Sequence, residues 1–358
     1  MSSLVSNGYG AGMVLHRIAL SAPRKVALSE DGRALTYSQL ASKALAWMEV
    51  FEDSYAKNGF AAAVYATQSP IDQIASTWGA LLSRCPLALR NGKALHDPAW
   101  PLSIIKRSSV PQPPYPSHRA IIAPQPHDAP ALLIAAPDGG SGAIVWTQRT
   151  LALAWAICSP PAGSVGVYQR PLSGPSTWSS CFGVFVGRGL AVIQPFTPQG
   201  AWLRALDGPG VTDVHLTMDE AHGLCGLCDG ASRSVRRVFV WNNAAIDEDV
   251  LRALAARFTS ASISRVLESP GGPLTVATLN ELTQRGMDWI GNPILGTELT
   301  IERSGSSSTV IANSICTGSM ASHAAHQGLL LTEPPTFRCH VRLDANSAIF
   351  LEKDTADA

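Results

Sequence analysis

Ile290-Gly291-Asn292-Pro293-Ile294-Leu295-Gly296-Thr297-Glu298-Leu299 divides the chain between two kinds of pattern. Upstream of it, the short β-branched runs Ser164 to Tyr168, Gly189 to Ile193, Val214 to Leu216 and Val235 to Val240 alternate with helical stretches. That rhythm predicts an α/β lobe with a mostly parallel sheet over 131–290. Downstream the chain is rich in Thr, Ser and Gly, with alternating runs such as Glu298-Leu299-Thr300-Ile301. A small β-rich lobe is expected over 291–358.

Towards the N-terminus the same strand-and-helix order repeats. Apolar spacing near 3.6 predicts a short helix over 13–22, ended by Pro23. Val26-Ala27-Leu28, the turn Glu30-Asp31-Gly32 and Ala34-Leu35-Thr36-Tyr37 read as a hairpin, after which Ser38 is expected to cap a helix running to Phe51. Ala61 to Tyr65 suits a buried strand, and Ser69-Pro70 opens a helix through Leu82. Residues 86–130 are dense in proline, with Pro111, Pro113, Pro114 and Pro116 close together, and read as a connector without long helices or central strands. A first α/β lobe therefore spans 1–130. The second opens with the run Ala131 to Ala136, the glycine-rich turn Pro137 to Gly142, a further strand and a helix from Thr150.

Composition narrows the function. With 358 residues, 46% apolar and only 15% charged, the chain buries a large core and is not disordered. Its 27 Lys and Arg offset 27 Asp and Glu, so no net basic field draws it to nucleic acid or to anionic membranes. Seven scattered cysteines are unlike a disulfide framework and fit reduced thiols. The opening MSSLVSNGYGAGMVLHR has no basic region followed by an apolar one, and no run of about 18 apolar residues follows anywhere. A soluble, cytoplasmic protein is expected.

Several strings, in order, resemble the adenylate-forming (AMP-binding, acyl-CoA synthetase and NRPS adenylation) ligases. They are Ser21-Ala22-Pro23-Arg24-Lys25-Val26-Ala27-Leu28 with Leu35-Thr36-Tyr37-Ser38-Gln39-Leu40, Gln68-Ser69-Pro70 with Trp78-Gly79-Ala80-Leu81, Gly210-Val211-Thr212, and the 290–299 string. The last is the most specific, because a Val-Gly-x-Pro-x-Pro-Gly-x-Glu-like string lies where that family passes from its second lobe to a β-barrel lobe. The resemblance implies the family's N-terminal domain: two α/β lobes plus a small β-barrel-like lobe. The chain stops soon after Lys353-Asp354, about where the family's hinge lies, so the C-terminal lid is expected to be absent.

Adenylation needs a site that holds ATP, Mg²⁺ and a carboxylate together, and hence positive charge and backbone donors. By the resemblance, the phosphate loop falls on Gly139, Gly140, Ser141 and Gly142, which keep the glycines of an anion-accepting nest without the family's lysine and with Asp138 alongside. An ordinary strand-to-strand turn remains the competing reading of those residues. The adenine loop falls on Trp241-Asn242-Asn243-Ala244, with Asn242 and Asn243 in place of a Gly-Gly pair. The Tyr-Gly-x-Thr-Glu motif falls on Glu268-Ser269-Pro270-Gly271-Gly272-Pro273-Leu274, keeping Gly271 and putting Leu274 where the metal-binding Glu belongs. The ribose-binding Asp falls near Thr336-Phe337-Arg338-Cys339, where no carboxylate stands.

No catalytic residue, metal ligand or cofactor is therefore expected. The resemblance implies a degenerate adenylation-like domain acting with a protein partner of an acyl- or aminoacyl-activation pathway, or on a small carboxylate or acyl ligand. The alternative is an active ligase using ATP and Mg²⁺ with unconventional residues and a lid from another chain. Three further groups carry weaker signals. Cys225-x-x-Cys228 with His215 and His222 nearby suggests a zinc or redox site or, alternatively, a packed helix end. His323 and His326 lack an obvious third ligand. Trp178, Phe182, Phe185 and Phe196 line either an acyl pocket or the core.

Overall fold

The computed structural model describes residues 10–58, 61–64, 69–83, 85–89, 102–105, 128–135, 143–169, 175–194, 206, 210–226, 233–242, 245–269, 272–304, 307–314, 319–323, 329–331, 337–343 and 348–351. The N-terminal elements are α1 (Ala11–Ser21), β1 (Val26–Glu30), β2 (Arg33–Thr36), α2 (Tyr37–Asn58), β3 (Ala61–Val64), α3 (Pro70–Leu82), β4 (Leu87–Leu89) and β5 (Leu102–Ile105). The middle of the chain gives β6 (Pro130–Ala135), β7 (Ala143–Thr147), α4 (Gln148–Cys158), β8 (Val165–Gln169), α5 (Pro175–Val186), β9 (Leu190–Gln194), β10 (Asp213–Thr217), α6 (Met218–Cys225), β11 (Arg237–Asn242), α7 (Glu248–Arg257) and β12 (Ser262–Ser269). Then follow β13 (Gly272–Thr278), α8 (Leu279–Arg285), β14 (Asn292–Pro293), β15 (Thr297–Ser304), β16 (Ser307–Ser314), β17 (Ser319–His323), β18 (Leu329–Leu331), β19 (Phe337–Leu343) and β20 (Ile349–Leu351).

Three sheets organise these strands. A nine-stranded sheet runs β14-β13-β12-β11-β10-β8-β9-β1-β2, parallel from β12 to β1 and antiparallel at both ends. A seven-stranded sheet runs β18-β17-β7-β6-β4-β3-β5 and a four-stranded antiparallel sheet runs β15-β16-β19-β20. Helices α1 to α5 share one core with strands of the two larger sheets, through Trp47, Trp78, Trp155, Phe182, Ile193 and Trp146 among others. Helices α6 to α8 pack a second core against β10 to β12, through Leu224, Leu251, Leu254, Leu282, Val238 and Val240. No helix among the described residues is long and apolar enough to cross a membrane.

Several expectations need correction. The proline-dense stretch 86–130 holds two strands, and β4 is central, parallel to β3 on one side and β6 on the other. Its three residues are proline-free, so both of its ladders can form. Sheet membership also cuts across the consecutive stretches 1–130, 131–290 and 291–358. The hairpin β1–β2 extends the sheet of β8 to β12, whereas β6 and β7 extend that of β3 to β5. Strand β17 leaves the C-terminal lobe to pair with β7, and β18 pairs with β17, while among the described residues the lobe is an open four-stranded sheet, not a closed barrel. The cap of α2 is Thr36, not Ser38: Thr36 Oγ1 accepts from Gln39 N (3.3 Å) while Thr36 N donates to Gln39 Oε1 (2.9 Å), a reciprocal capping box. The helix runs on to Asn58, beyond the expected Phe51.

The hairpin also holds the next helix. The Asp31-Gly32 turn takes positive φ (47° and 78°), as a two-residue hairpin turn demands. At the end of β1 the buried Glu30 carboxylate accepts from Ser69 Oγ (3.1 Å) and Ile71 N (3.2 Å), capping α3 from another element. Helices α2 and α3 cross at Gly79, where an added Cβ would lie 2.6 Å from the Ala44 carbonyl oxygen and 2.6 Å from Trp47 Cβ. Gly79→Val is expected to lower stability by about 2–3 kcal/mol through this overpacking, despite removing a helical glycine. Urea unfolding of the pair measures it; an unchanged midpoint would show that the crossing relaxes.

Candidate functional site

In an open α/β sheet, ligands bind beyond the carboxyl ends of the strands, where the chain reverses its direction of strand addition. Here β9 is added on one side of β8 and β10 on the other, so the switch point lies between β8 and β10. Parallel pairing sets Asp213 beside Gly166 and Val214 beside Val167, which brings Tyr168 level with His215, and sets His215 beside Phe239. Three rings therefore stack across adjacent strands, Tyr168 on His215 (5.1 Å, 15°) and His215 on Phe239 (5.0 Å, 19°), with Trp241 tilted at 6.0 Å. Alternation in β10 and β11 turns Val214, Leu216, Val238 and Val240 to the opposite face and its helices.

Hydrogen bonding fixes the imidazole. Trp241 Nε1 donates to His215 Nδ1 at 3.2 Å, and an indole N–H can only donate, so Nδ1 is the bare nitrogen and Nε2 carries the proton. Nε2 lies at the ring's distal edge and has no hydrogen-bond partner among the described residues. Burial drives His215 down to about 4, with the Asp213 charge opposing and the Arg237 charge adding to the shift. Tyr168 is fully enclosed, its hydroxyl donates to the Ser180 carbonyl (3.1 Å), and burial pushes it well above the ordinary tyrosine value. His215 and Phe239 are half-buried.

Of the residues expected to form a nucleotide site, Asn242 is described; Gly139, Gly140, Ser141, Gly142, Asn243 and Gly271 lie outside the described residues. Asn242 ends β11, and its Nδ2 donates to the Ala245 carbonyl (3.2 Å), spending the side chain on its own turn. The expected phosphate loop is bounded by the paired residues Ala135 and Ala143. In the β12–β13 hairpin Ser269 pairs with Gly272 and Glu268 with Pro273, and Leu274 is 1% exposed. The described carboxyl-terminal residues of β8 to β12 are Gln169, Gln194, Thr217, Asn242 and Ser269, a rim without a cation.

The other candidates do not assemble. Cys225 lies at the end of α6 with Sγ 3.7 Å from the Val250 carbonyl, and His222 Nδ1 lies 3.0 Å from the Met218 carbonyl. His215 belongs to the ring ladder, and Cys228 lies outside the described residues. Among the described residues no group of three or more His, Cys, Asp or Glu could hold a metal ion. His323 ends β17 and His326 lies outside the described residues. Trp178, Phe182 and Phe185 are core: Phe182 stacks with Trp155 (4.7 Å) and Trp178 (5.3 Å) and meets Phe185 edge-on. Phe196 lies outside the described residues. Sequence reading missed Tyr168, Phe239 and Trp241 as partners of His215. Each sits on the same face of a strand, but their meeting depends on strand order.

No family model matches the chain and no curated protein matches it. Solved structures do. The Bacillus subtilis o-succinylbenzoate CoA synthetase MenE, a double mutant bound to its product analogue OSB-NCoA, superposes with a TM-score of 0.74 at 15% identity, over 95% of this chain and 78% of that one. The Klebsiella oxytoca NpsA N-terminal subdomain gives 0.73 at 14% identity, over 96% and 99%. NpsA-ThdA, an artificially fused adenylation–PCP di-domain NRPS from Klebsiella oxytoca, gives 0.73 at 13% identity, over 96% and 71%. The chain thus has the fold of the N-terminal domain of the adenylate-forming ligases, to whose solved members it is only distantly similar.

Proposed function

We propose that this chain is a catalytically degenerate adenylation-like domain that works by binding, as an accessory protein in an acyl- or aminoacyl-activation pathway. The observation that carries this reading is that, among the described residues, those ending strands β8 to β12 around the switch point, Gln169, Gln194, Thr217, Asn242 and Ser269, are of uncharged types. A triphosphate brings several negative charges to such a rim, and one donor aimed at developing charge is worth about 3 kcal/mol. Two further features point the same way. Leu274, at the position the resemblance gives to the magnesium carboxylate, is buried and cannot ligate a hard cation. The Asn242 amide bonds within the turn where adenine would lie. A protein partner is favoured by the likeness to NpsA-ThdA, a protein in which an adenylation domain is joined to a PCP.

Calorimetry with Mg·ATP, paired with a pyrophosphate-release assay over a panel of carboxylates, tests this. No saturable ATP binding and no release above the protein-free blank are expected. Saturable ATP binding with turnover would overturn the reading in favour of an active ligase. Affinity capture from the native host, followed by identification of the retained proteins, tests the accessory role. Retention of acyl- or aminoacyl-activating enzymes or their carriers is the expected result.

A further inference from the structure

The end of the nine-stranded sheet opposite the switch-point rim carries charge of one sign. Strands β1, β9, β8, β10 and β11 are adjacent and parallel, so their amino ends share one edge of the fold. Arg24 and Lys25 precede β1, Arg188 precedes β9, and Arg233 and Arg236 precede β11; all are exposed. None has a carboxylate partner among the described residues. A Cβ added at Gly163 would lie 3.7 Å from Lys25 Nζ, which places that ammonium by the start of β8, on the far side of β9. The one described carboxylate at these strand starts, Asp213, is 0% exposed and already bonded to Arg237. Helix dipoles favour cations at the ends of α1 and α5, but they do not account for the backbone of Arg188. Flanked by Gly187 and Gly189, the turn puts its left-handed residue at Arg188 (φ 54°), where a glycine would sit without strain. The chain keeps a cation where backbone preference alone would not. Beside this row Leu20 is 68% exposed and Val26 is 37% exposed.

We propose that this edge docks an acidic amphipathic helix of a partner protein, laid across the strand ends with one carboxylate per turn facing the cations and an apolar residue at one end meeting Leu20 and Val26. The proposal rests on the reading of the chain as a partner-binding domain and supplies the partner's chemistry. Spacing favours a helix: neighbouring strands lie about 4.8 Å apart and a helical turn rises about 5.4 Å, so carboxylates three or four residues apart keep step with successive strands. From β1 to β11 the row spans about 19 Å, the length of about 13 helical residues. An extended peptide would find strand ends here rather than an open ladder. A single-stranded nucleic acid would meet no exposed aromatic ring among the described residues on which to stack. Leu20 and Val26 are too little apolar surface to bury in a bilayer.

The test uses the full chain and a fluorescent helical peptide of about 14 residues, built on alanine with glutamate once per turn along one face and leucine at one end, read by anisotropy. A twin with glutamine for every glutamate, a thymidine oligonucleotide and phosphatidylserine vesicles are the comparisons. The glutamate peptide is expected to bind saturably, about tenfold or more tightly than its twin, and to weaken as salt rises. Arg188→Gly should lower its affinity about threefold, and Arg188→Gly combined with Arg236→Gln about tenfold or more. Arg149→Gln removes an exposed cation at the far end of α4 and should leave binding unchanged. Because Arg188→Gly relieves a left-handed residue, its urea midpoint should stay near that of the wild-type chain, so that lost binding reports lost charge rather than lost fold. Equal binding of the twin, undiminished binding by the double variant, tighter binding of the oligonucleotide or the vesicles, or no saturable binding of the glutamate peptide overturns the proposal. None of these outcomes bears on ATP binding or pyrophosphate release, so the docking edge can fail while the degenerate-domain reading stands.

Discussion

Arg265→Met is expected to lower unfolding stability by about 3–5 kcal/mol. Arg265 is fully buried in β12, flanked by β11 and β13. Its Nη1 donates to the Met287 carbonyl (3.0 Å) and its Nη2 to the Trp289 carbonyl, while its Nε has no partner among the described residues. Burial pulls the guanidinium down to about 10, with the Asp288 charge opposing, so it remains a cation at neutral pH. The Asp288 carboxylate is bonded instead to Arg342 (2.6 Å), whose guanidinium covers the Phe350 ring at 4.4 Å. The two carbonyls held by Arg265 flank the residue that receives Leu351 N (2.8 Å), and the next amide, Ile290 N, donates to Ile349 (2.9 Å). Arg265 thereby staples β20 and the four-stranded sheet to the nine-stranded one. Methionine would fill the volume but leave two buried carbonyls without donors, each costing about 1–3 kcal/mol. Lysine should recover less than half of the loss, because one ammonium does not reproduce a planar fork reaching two carbonyls. Hydrogen exchange reads the mechanism: the Ile290 and Leu351 amides should lose protection before the rest of the core. If Arg265→Met unfolds at the wild-type urea midpoint, the staple is not a stabilising contact.

Much of the fold was legible because local chemistry dictated it. The Asp31-Gly32 turn, the Ser69-Pro70 helix start and the β-branched runs that became β8 to β11 each follow from backbone preference or period. What local chemistry could not reveal was which sheet a strand joins. The hairpin of residues 26–36 lies beside β9 rather than β3, and β17 lies beside β7, because those pairings are set by long-range burial. The short β4 escaped for a related reason. Three residues carry too little pattern to outweigh the prolines around them, yet neighbours on both sides supply two ladders. The candidate site suffered most. Its sequence signals were the altered phosphate, adenine and metal motifs, whereas the ring ladder arises only when strand order sets Tyr168, His215 and Phe239 side by side. In the sequence His215 drew notice for its distance from Cys225, a neighbour along the chain whose thiol lies against α7 instead.

That same ladder makes the second large prediction, an acid-dependent loss of stability that belongs to one residue. In the unfolded chain His215 titrates near its ordinary value of 6.5, and in the folded chain at about 4. Between those values the unfolded state binds a proton that the native state refuses, so stability falls as the pH drops through this window and levels off below it. At neutral pH the native imidazole is uncharged and the unfolded one mostly so, and the residue costs little. The full difference amounts to roughly 3 kcal/mol, of which about 2 kcal/mol should be lost by pH 5. The structural cause is specific: protonation places an Nδ1–H against the Trp241 Nε1–H, donor facing donor, inside a stack that excludes water from both ring faces. His215→Phe cannot titrate. It leaves the Trp241 indole without its acceptor and so lowers stability at every pH, but it should flatten the decline between pH 6.5 and 4 relative to the wild-type chain. The difference in slope therefore isolates the imidazole from the carboxylates that titrate in the same range. Urea unfolding at pH 7, 6, 5 and 4.5 for both proteins supplies the comparison. Parallel curves would mean that His215 accepts its proton in the folded state, and with it that the Trp241 bond does not hold Nδ1 bare.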